Sequence, residues 1–221
     1  MPRRNRLKAE QTAAIYLPEK RTLRTLREAA AGCRACPLWE RGTQTVFGEG
    51  LLSSRLILVG EQPGDSEDRQ GRPFVGPAGR VLDRGLEEAG IDRRDAYVTN
   101  VVKHFKWAPK GRLRLHQKPN AREIGACIPW LDAEIDLIRP ELVVAMGATA
   151  AQALLGKKVL VTRDHGKVLP SNLAPHATVT IHPSAILRAP TEEDRERAMS
   201  GFVGDLKAVA RILKRGDGVL E

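Results

Sequence analysis

The sequence is short of aromatic residues, of cysteine and of acidic charge, and it has no long apolar run. Each shortage excludes something. Aromatics make up 4% of 221 residues, too few for an extended platform on which bases stack one after another, although a single stacking ring is compatible with that number. The three cysteines are an odd count, and the N-terminal stretch MPRRNRLKAEQ has no apolar h-region. Neither a disulfide scaffold nor a secretory leader is therefore expected, which places the chain in the cytoplasm, at the nucleoid. No apolar run reaches the length that crosses a bilayer. Acids number 27 against 36 lysines and arginines, a net charge of +9. That surplus attracts polyanions, of which nucleic acid is the commonest.

The length fits one sizeable domain. Residues 1–20 are expected to form a loose basic arm and residues 21–215 a single domain. Leu23 to Ala31 has helical spacing and stops at Gly32. RLILVGEQPG is a buried apolar strand that ends in a Gly-Pro turn, and DAYVTNVV, ELVVAMG and ATVTIHP are three more strands. Helices alternate with them. GPAGRVLDRGLEEAG has Pro77 near its start and Gly90 at its stop, NAREIGACIPWLDAEIDLI has Asn120 as its N-cap and Pro129 as a kink, and ATAAQALLG is short. TEEDRERAMSGFVGDLKAVARILKR, capped by Thr191, closes the chain. This alternation predicts an α/β/α sandwich with a short central, mostly parallel four-stranded sheet. Ligands of such sheets bind at the carboxyl ends of the strands. The loops gathered there are GEQPGDSED, TNVVKHF, GATA and HPSAILR.

Two stretches ask for chemistry. KHFKWAPKGRLRLHQKP, Lys103 to Pro119, has six basic residues, two histidines and no acid. Composition alone makes it a solvated basic loop that grips a polyanion, with His116 at the end of an Arg-Leu-Arg-Leu alternation. The second is CRAC, Cys33 to Cys36, which follows a helical pattern and precedes Pro37. A redox C-x-x-C follows a strand and opens a helix, so this one points to metal ligation.

Five segments in order, GEQPGDSEDRQGRPFVGPAGRVLD, YVTNVVKHFK, ACIPWL, VVAMGATAAQALLG and HPSAILR, resemble the uracil-DNA glycosylase superfamily, specifically its iron-sulfur branch (families 4 and 5). The likeness runs from about Cys33 to about Leu206. Two features depart from the family-4 pattern. Gly-Glu-Ala-Pro-Gly is here GEQPG, with Gln62 in place of alanine, and a basic loop ending in His116 stands before the helix at Asn120. Both are similar to UdgX, the branch whose members become covalently joined to uracil-containing DNA.

The resemblance implies roles. Phe74 supplies a stacking face for an extruded base, and Asn100 reads the uracil edge with one donor and one acceptor. His182 stabilises charge developing on uracil O2, and Glu61 opposes an oxocarbenium-like sugar or takes a proton from the nucleophile. Gln62 holds the sugar or the nucleophile, and Asp65 belongs to the same substrate loop. Asp68 orders the turn. His116 attacks C1′ in place of water, while Arg112, Arg114 and Lys118 clamp the DNA backbone, as Ser184 and Arg188 do from another loop. The partner is uracil-containing DNA, preferably single-stranded because extrusion is cheapest there, and the protein acts as a monomer.

Family 4 holds a structural [4Fe–4S] cluster with four cysteines. Cys33, Cys36 and Cys127 match three of them and His104 occupies the remaining position. Three thiolates and one imidazole suit that cluster and equally suit structural zinc. Three functions stay open: a glycosylase that links itself to DNA through His116, a turnover glycosylase that uses water, and a non-catalytic iron-sulfur DNA-binding module.

Overall fold

A computed structural model describes residues 7–216. Two short 3-10 turns, Ala9–Gln11 and Ala13–Tyr16, precede α1 (Leu23–Ala31). Then come β1 (Leu56–Gly60), α2 (Asp65–Gln70), α3 (Pro77–Ala89) and β2 (Ala96–Asn100). A hairpin of β3 (Trp107–Lys110) and β4 (Leu113–His116) leads into α4 (Ala121–Ile138). The chain continues through β5 (Leu142–Met146), α5 (Ala148–Leu155), α6 (Val161–Asp164), β6 (Val168–Leu169), β7 (His176–Thr180) and α7 (Pro183–Leu187) to α8 (Glu192–Gly216).

The sheet has the order β2-β1-β5-β7-β6. Its first four strands are parallel, as the alternation of strands and helices predicts, and they end level: Gly60 pairs with Asn100 and Met146 with Thr180. The four-strand expectation is short by one. β6 adds an antiparallel edge of two residues against β7, too brief to leave a periodic signature.

Every residue of β1 is buried, and its side chains alternate between two cores. Ile57 and Val59 pack with α1, α4 and α5, whereas Leu56 and Leu58 pack with α3, α7 and α8. Each fully buried leucine contributes about 2 kcal/mol by leaving water. Helix ends follow local chemistry. Asn120 and Glu123 form a capping box on α4, and Thr191 Oγ1 accepts the Asp194 N–H at 3.1 Å. α4 runs as one helix through Pro129.

Three expectations are corrected. The arm is not loose in its second half, because Ala13 is fully buried against the core shared with α4; residues 1–6 lie outside the described residues. The end of the loop GEQPGDSED, from Asp65 onward, is a helix, α2, because the Glu67 carboxylate accepts the Gly64 N–H at 3.1 Å and caps it. The basic loop is an antiparallel hairpin that turns at Gly111, φ +58°.

Candidate active site

The level strand ends gather four segments: Gly60–Gln62 after β1, Asn100 at the end of β2, Gly147–Thr149 after β5 and His182 after β7. Asn100 is 2% exposed, and its Oδ1 has no hydrogen-bond partner among the described residues. An unpaired buried acceptor costs about 1–3 kcal/mol, so this oxygen is available to a donor that the described residues do not supply. A Cβ on Gly60 would stand 2.4 Å from that oxygen and 2.7 Å from Phe74 Cζ; glycine keeps the floor open. Phe74 adopts φ +54°, a left-handed conformation that costs a non-glycine residue about 1–2 kcal/mol. Its ring lies 5.9 Å from that of His182. Gly147, at φ +88°, lets His182 approach to where a Cβ would meet its Cβ at 2.9 Å.

His182 is neutral and its tautomer is fixed. The Ser184 backbone N–H donates to Nδ1 at 3.1 Å, so the proton is on Nε2. Burial holds the ring's pKa down to about 4, against the upward pull of Glu61. Ser184 Oγ lies 2.8 Å from Nδ1 and accepts from Arg188 Nη1 at 2.9 Å. Both residues expected on DNA thus also order this histidine.

Glu61 sits between two donors. Its Oε1 is 3.2 Å from His116 Nε2, and its Oε2 accepts the Thr149 hydroxyl. Burial raises the carboxyl, but the bonds from His116 and Thr149 outweigh it, and the net displacement is below the ordinary value. Glu61 is an anion at neutral pH. Thr149 is the functional residue that sequence reasoning missed; its only signal was a hydroxyl in the first turn of the helix that follows a strand end.

The hairpin that carries His116 is anchored at two places. Gln62, 7% exposed, donates to the Lys106 and Gln117 carbonyls at 3.2 and 3.1 Å and accepts the Lys106 N–H at 3.1 Å. These two residues flank the hairpin, so the Gln62 side chain joins the hairpin's ends. Arg114 is turned inward. Its guanidinium donates to Asp68 at 2.6 Å, to Thr43 at 3.1 Å and to Asp65, and it lies 5.5 Å from the Phe105 and Trp107 rings. Asp68, fully buried, also accepts the Thr43 N–H at 2.9 Å. The expected phosphate clamp and the expected substrate carboxylate are therefore bound to each other, because alternation along β4 puts Arg114 on the same inward side as His116. Arg112 and Lys118 remain exposed.

Cys33, Cys36, His104 and Cys127 line one cavity with Lys103 and Trp130. All three thiols are free. Burial pushes the Cys127 and Cys36 thiols up, and the Lys103 backbone N–H donates to Cys127 Sγ at 3.3 Å. Burial also holds His104 neutral, its pKa down to about 4 against the pull of Asp68. Its Nε2 is 3.0 Å from Thr45 Oγ1, which leaves Nδ1 for a ligand. Among the described residues no three such donors converge on a single ion. Three sulfurs and one imidazole lining a single cavity are the donor types that an iron-sulfur cluster or a zinc ion takes.

Lys103 connects this cavity to the pocket. Its buried ammonium donates to the Asn100 carbonyl at 2.8 Å, to Thr99 Oγ1 at 2.6 Å and to Glu134 at 2.6 Å. Glu134 in turn accepts from Tyr97 and the Gly48 N–H. A fully bonded buried ion pair of this kind fixes geometry more than it stabilises the fold, and here it fixes the strand end that carries Asn100.

The fold is an α/β sandwich whose parallel strands end level, with Asn100, Phe74 and His182 gathered at their carboxyl ends. Residues 47–207 match the uracil DNA glycosylase superfamily, and the chain belongs to that superfamily. It is 40% identical over 190 residues to the type-4 uracil-DNA glycosylase of Thermotoga maritima, covering 86% of this chain and 94% of that one. It is 37% identical over 175 residues to the type-4 enzyme of Pyrobaculum aerophilum, covering 76% and 86%. It is 33% identical over 183 residues to that of Archaeoglobus fulgidus, covering 79% and 87%. Among the described residues no helix is long and apolar enough to cross a membrane.

Proposed function

We propose that this protein excises uracil from DNA and joins itself to the sugar C1′ through His116, as the likeness to UdgX implies. The observation that carries this reading is the contact of His116 Nε2 with Glu61 Oε1 at 3.2 Å, on a hairpin anchored by Gln62 and Arg114. The names of the relatives support uracil excision. Asn100 Oδ1 accepts uracil N3–H, the Phe74 ring stacks on the base, and the His182 Nε2–H donates to O2. The C1′–N1 bond breaks and its electron pair leaves with uracil, whose charge His182 disperses. A lone pair of the His116 ring forms the new bond to C1′ as Glu61 takes the ring N–H proton. The product is a neutral N-alkyl imidazole, a poor leaving group, so the reaction stops there. Holding the ring beside C1′ gives it an effective concentration far above that of solvent.

Cys33, Cys36, His104 and Cys127 hold the cluster, a [4Fe–4S] group whose role is structural: it ties α1, the loop after β2 and α4 beside the pocket. Arg112, Lys118, Ser184 and Arg188 contact the backbone of a single-stranded substrate. Arg114 and Asp65 position the hairpin. The protein works as a monomer in the cytoplasm, at the nucleoid.

A second reading is turnover with water. The Glu61 carboxylate, held by Thr149, favours it, because such a group can orient a water if His116 swings aside. The unpartnered Asn100 oxygen argues against a non-catalytic module. The test is a uracil-containing single-stranded oligonucleotide mixed with protein and run on a denaturing gel, beside His116→Ala and a thymine control. A retarded band that needs both uracil and His116 is the expected result. An alkali-labile strand with no band would mean turnover with water.

A further inference from the structure

Two buried side-chain atoms that lack a hydrogen-bond partner among the described residues stand at different cavities. Asn100 Oδ1 belongs to the pocket at the strand ends. Trp130 Nε1 belongs to α4, in the wall of the cavity that Cys33, Cys36, His104 and Cys127 line. The indole is fully buried, so bulk water does not satisfy its N–H. An orphaned buried donor costs about 1–3 kcal/mol, and an indole nitrogen can only donate.

The surroundings narrow the acceptor. Trp130 follows Cys127 by one turn of α4, and residues three apart on a helix are neighbours on one face. The Phe47 ring stands edge-on to the indole, 6.2 Å away at 83°; it packs the ring without offering an oxygen, nitrogen or sulfur. Cys127 Sγ already accepts the Lys103 backbone N–H at 3.3 Å. One N–H of the cavity wall is thus on a sulfur, and a second has no acceptor. The two groups that suit the four ligands differ at this point. A zinc ion adds no acceptor to the three thiolates. An iron-sulfur cluster adds inorganic sulfide, and hydrogen bonds to the sulfurs are among the things that set its reduction potential. The donor set and the unpartnered indole N–H together fit the cluster.

We propose that the Trp130 Nε1–H donates to a sulfur of the cluster and favours its reduced state, by drawing negative charge away from the sulfur; this rests on the preceding reading that the cavity takes an iron-sulfur cluster. Trp130 is a tuning residue of the cluster, not a ligand. The test is a reductive titration of the purified holoprotein followed by its visible absorbance, after iron and sulfide have been assayed. The unaltered chain is compared with Trp130→Phe, with benzothienylalanine in place of Trp130 and with Phe47→Leu. Benzothienylalanine keeps the shape of the indole and has no N–H. Phe47→Leu disturbs the packing of the indole and keeps the N–H. Both Trp130 replacements are expected to hold about tenfold less reduced cluster at a given potential, a midpoint lower by about 59 mV for one electron. Phe47→Leu should lower the thermal midpoint and leave the potential in place. Iron lost from the benzothienylalanine protein and kept in Phe47→Leu would also support the bond. An unmoved potential in the benzothienylalanine protein would overturn it. An equal shift in Phe47→Leu would assign the effect to packing and overturn it too. If the unaltered chain carries no iron and sulfide, the cluster reading itself fails, and the role of Trp130 falls with it.

Discussion

Replacing Gln62 by alanine restores the family-4 residue at that position and removes the element that joins the two ends of the hairpin. Three hydrogen bonds vanish, two to carbonyls and one from the Lys106 N–H. Each is worth about 1 kcal/mol net, so the closed hairpin loses about 2–3 kcal/mol relative to one lifted from the pocket. The fold itself should persist, because Arg114 still binds Asp68 at 2.6 Å and the Gln117 N–H still donates to the Lys106 carbonyl at 2.9 Å. The loss therefore falls on the placement of His116. At about 1.4 kcal/mol per factor of ten, adduct formation should slow about 100-fold. The pocket residues Asn100, Phe74 and His182 are untouched, so release of free uracil should become measurable as water competes for C1′. The assay is a single-turnover time course with a uracil-containing single strand, scored for cross-linked protein and for free base. If Gln62→Ala cross-links within a few-fold of the unaltered rate, the hairpin does not need this anchor and the reasoning is wrong.

Thr149→Val removes one of the two bonds that hold the Glu61 carboxyl below its ordinary value. Burial then acts with less opposition, so the acid limb of the pH–rate profile should move to higher pH and the rate at neutral pH should fall about tenfold or more. Thr149→Ser should restore both, and an unmoved acid limb would remove Thr149 from this role. Cys127→Ser should reduce or abolish visible cluster absorbance and lower the thermal midpoint; an unchanged spectrum would exclude Cys127 as a ligand. His182, depressed to about 4 from about 6.5 in an unfolded chain, stays neutral in the fold while the unfolded state takes up a proton. Stability from this residue is therefore lost as pH falls from about 6.5 towards 4. Denaturant midpoints at pH 7 and pH 5 should differ less in His182→Asn than in the unaltered chain, and equal differences would refute the assignment.

Much of the architecture could be read in the sequence because it is dictated locally. Four apolar runs of about five residues separated by helices predict a parallel sheet. Asn120, Gly90 and Thr191 end or start helices through bonds that span three or four residues. Motif order led to Phe74, Asn100 and His182, and the structure brings these together at the strand ends. The short α2 and the two-residue β6 escaped notice because neither is long enough to show a period. What the sequence could not supply was direction and partnership. The alternation Arg-Leu-Arg-Leu says that two arginines share a face but not which face looks inward; the buried Asp68 and the half-buried Glu61, brought underneath by α2 and by the end of β1, decided that. Gln62 meets Lys106 and Gln117 across 44 and 55 residues, and Thr149 meets Glu61 across 88. Such pairs exist only once the parallel strands have ended at one level, because a hydrogen bond needs its atoms within about 3 Å, and only the packed sheet sets that distance.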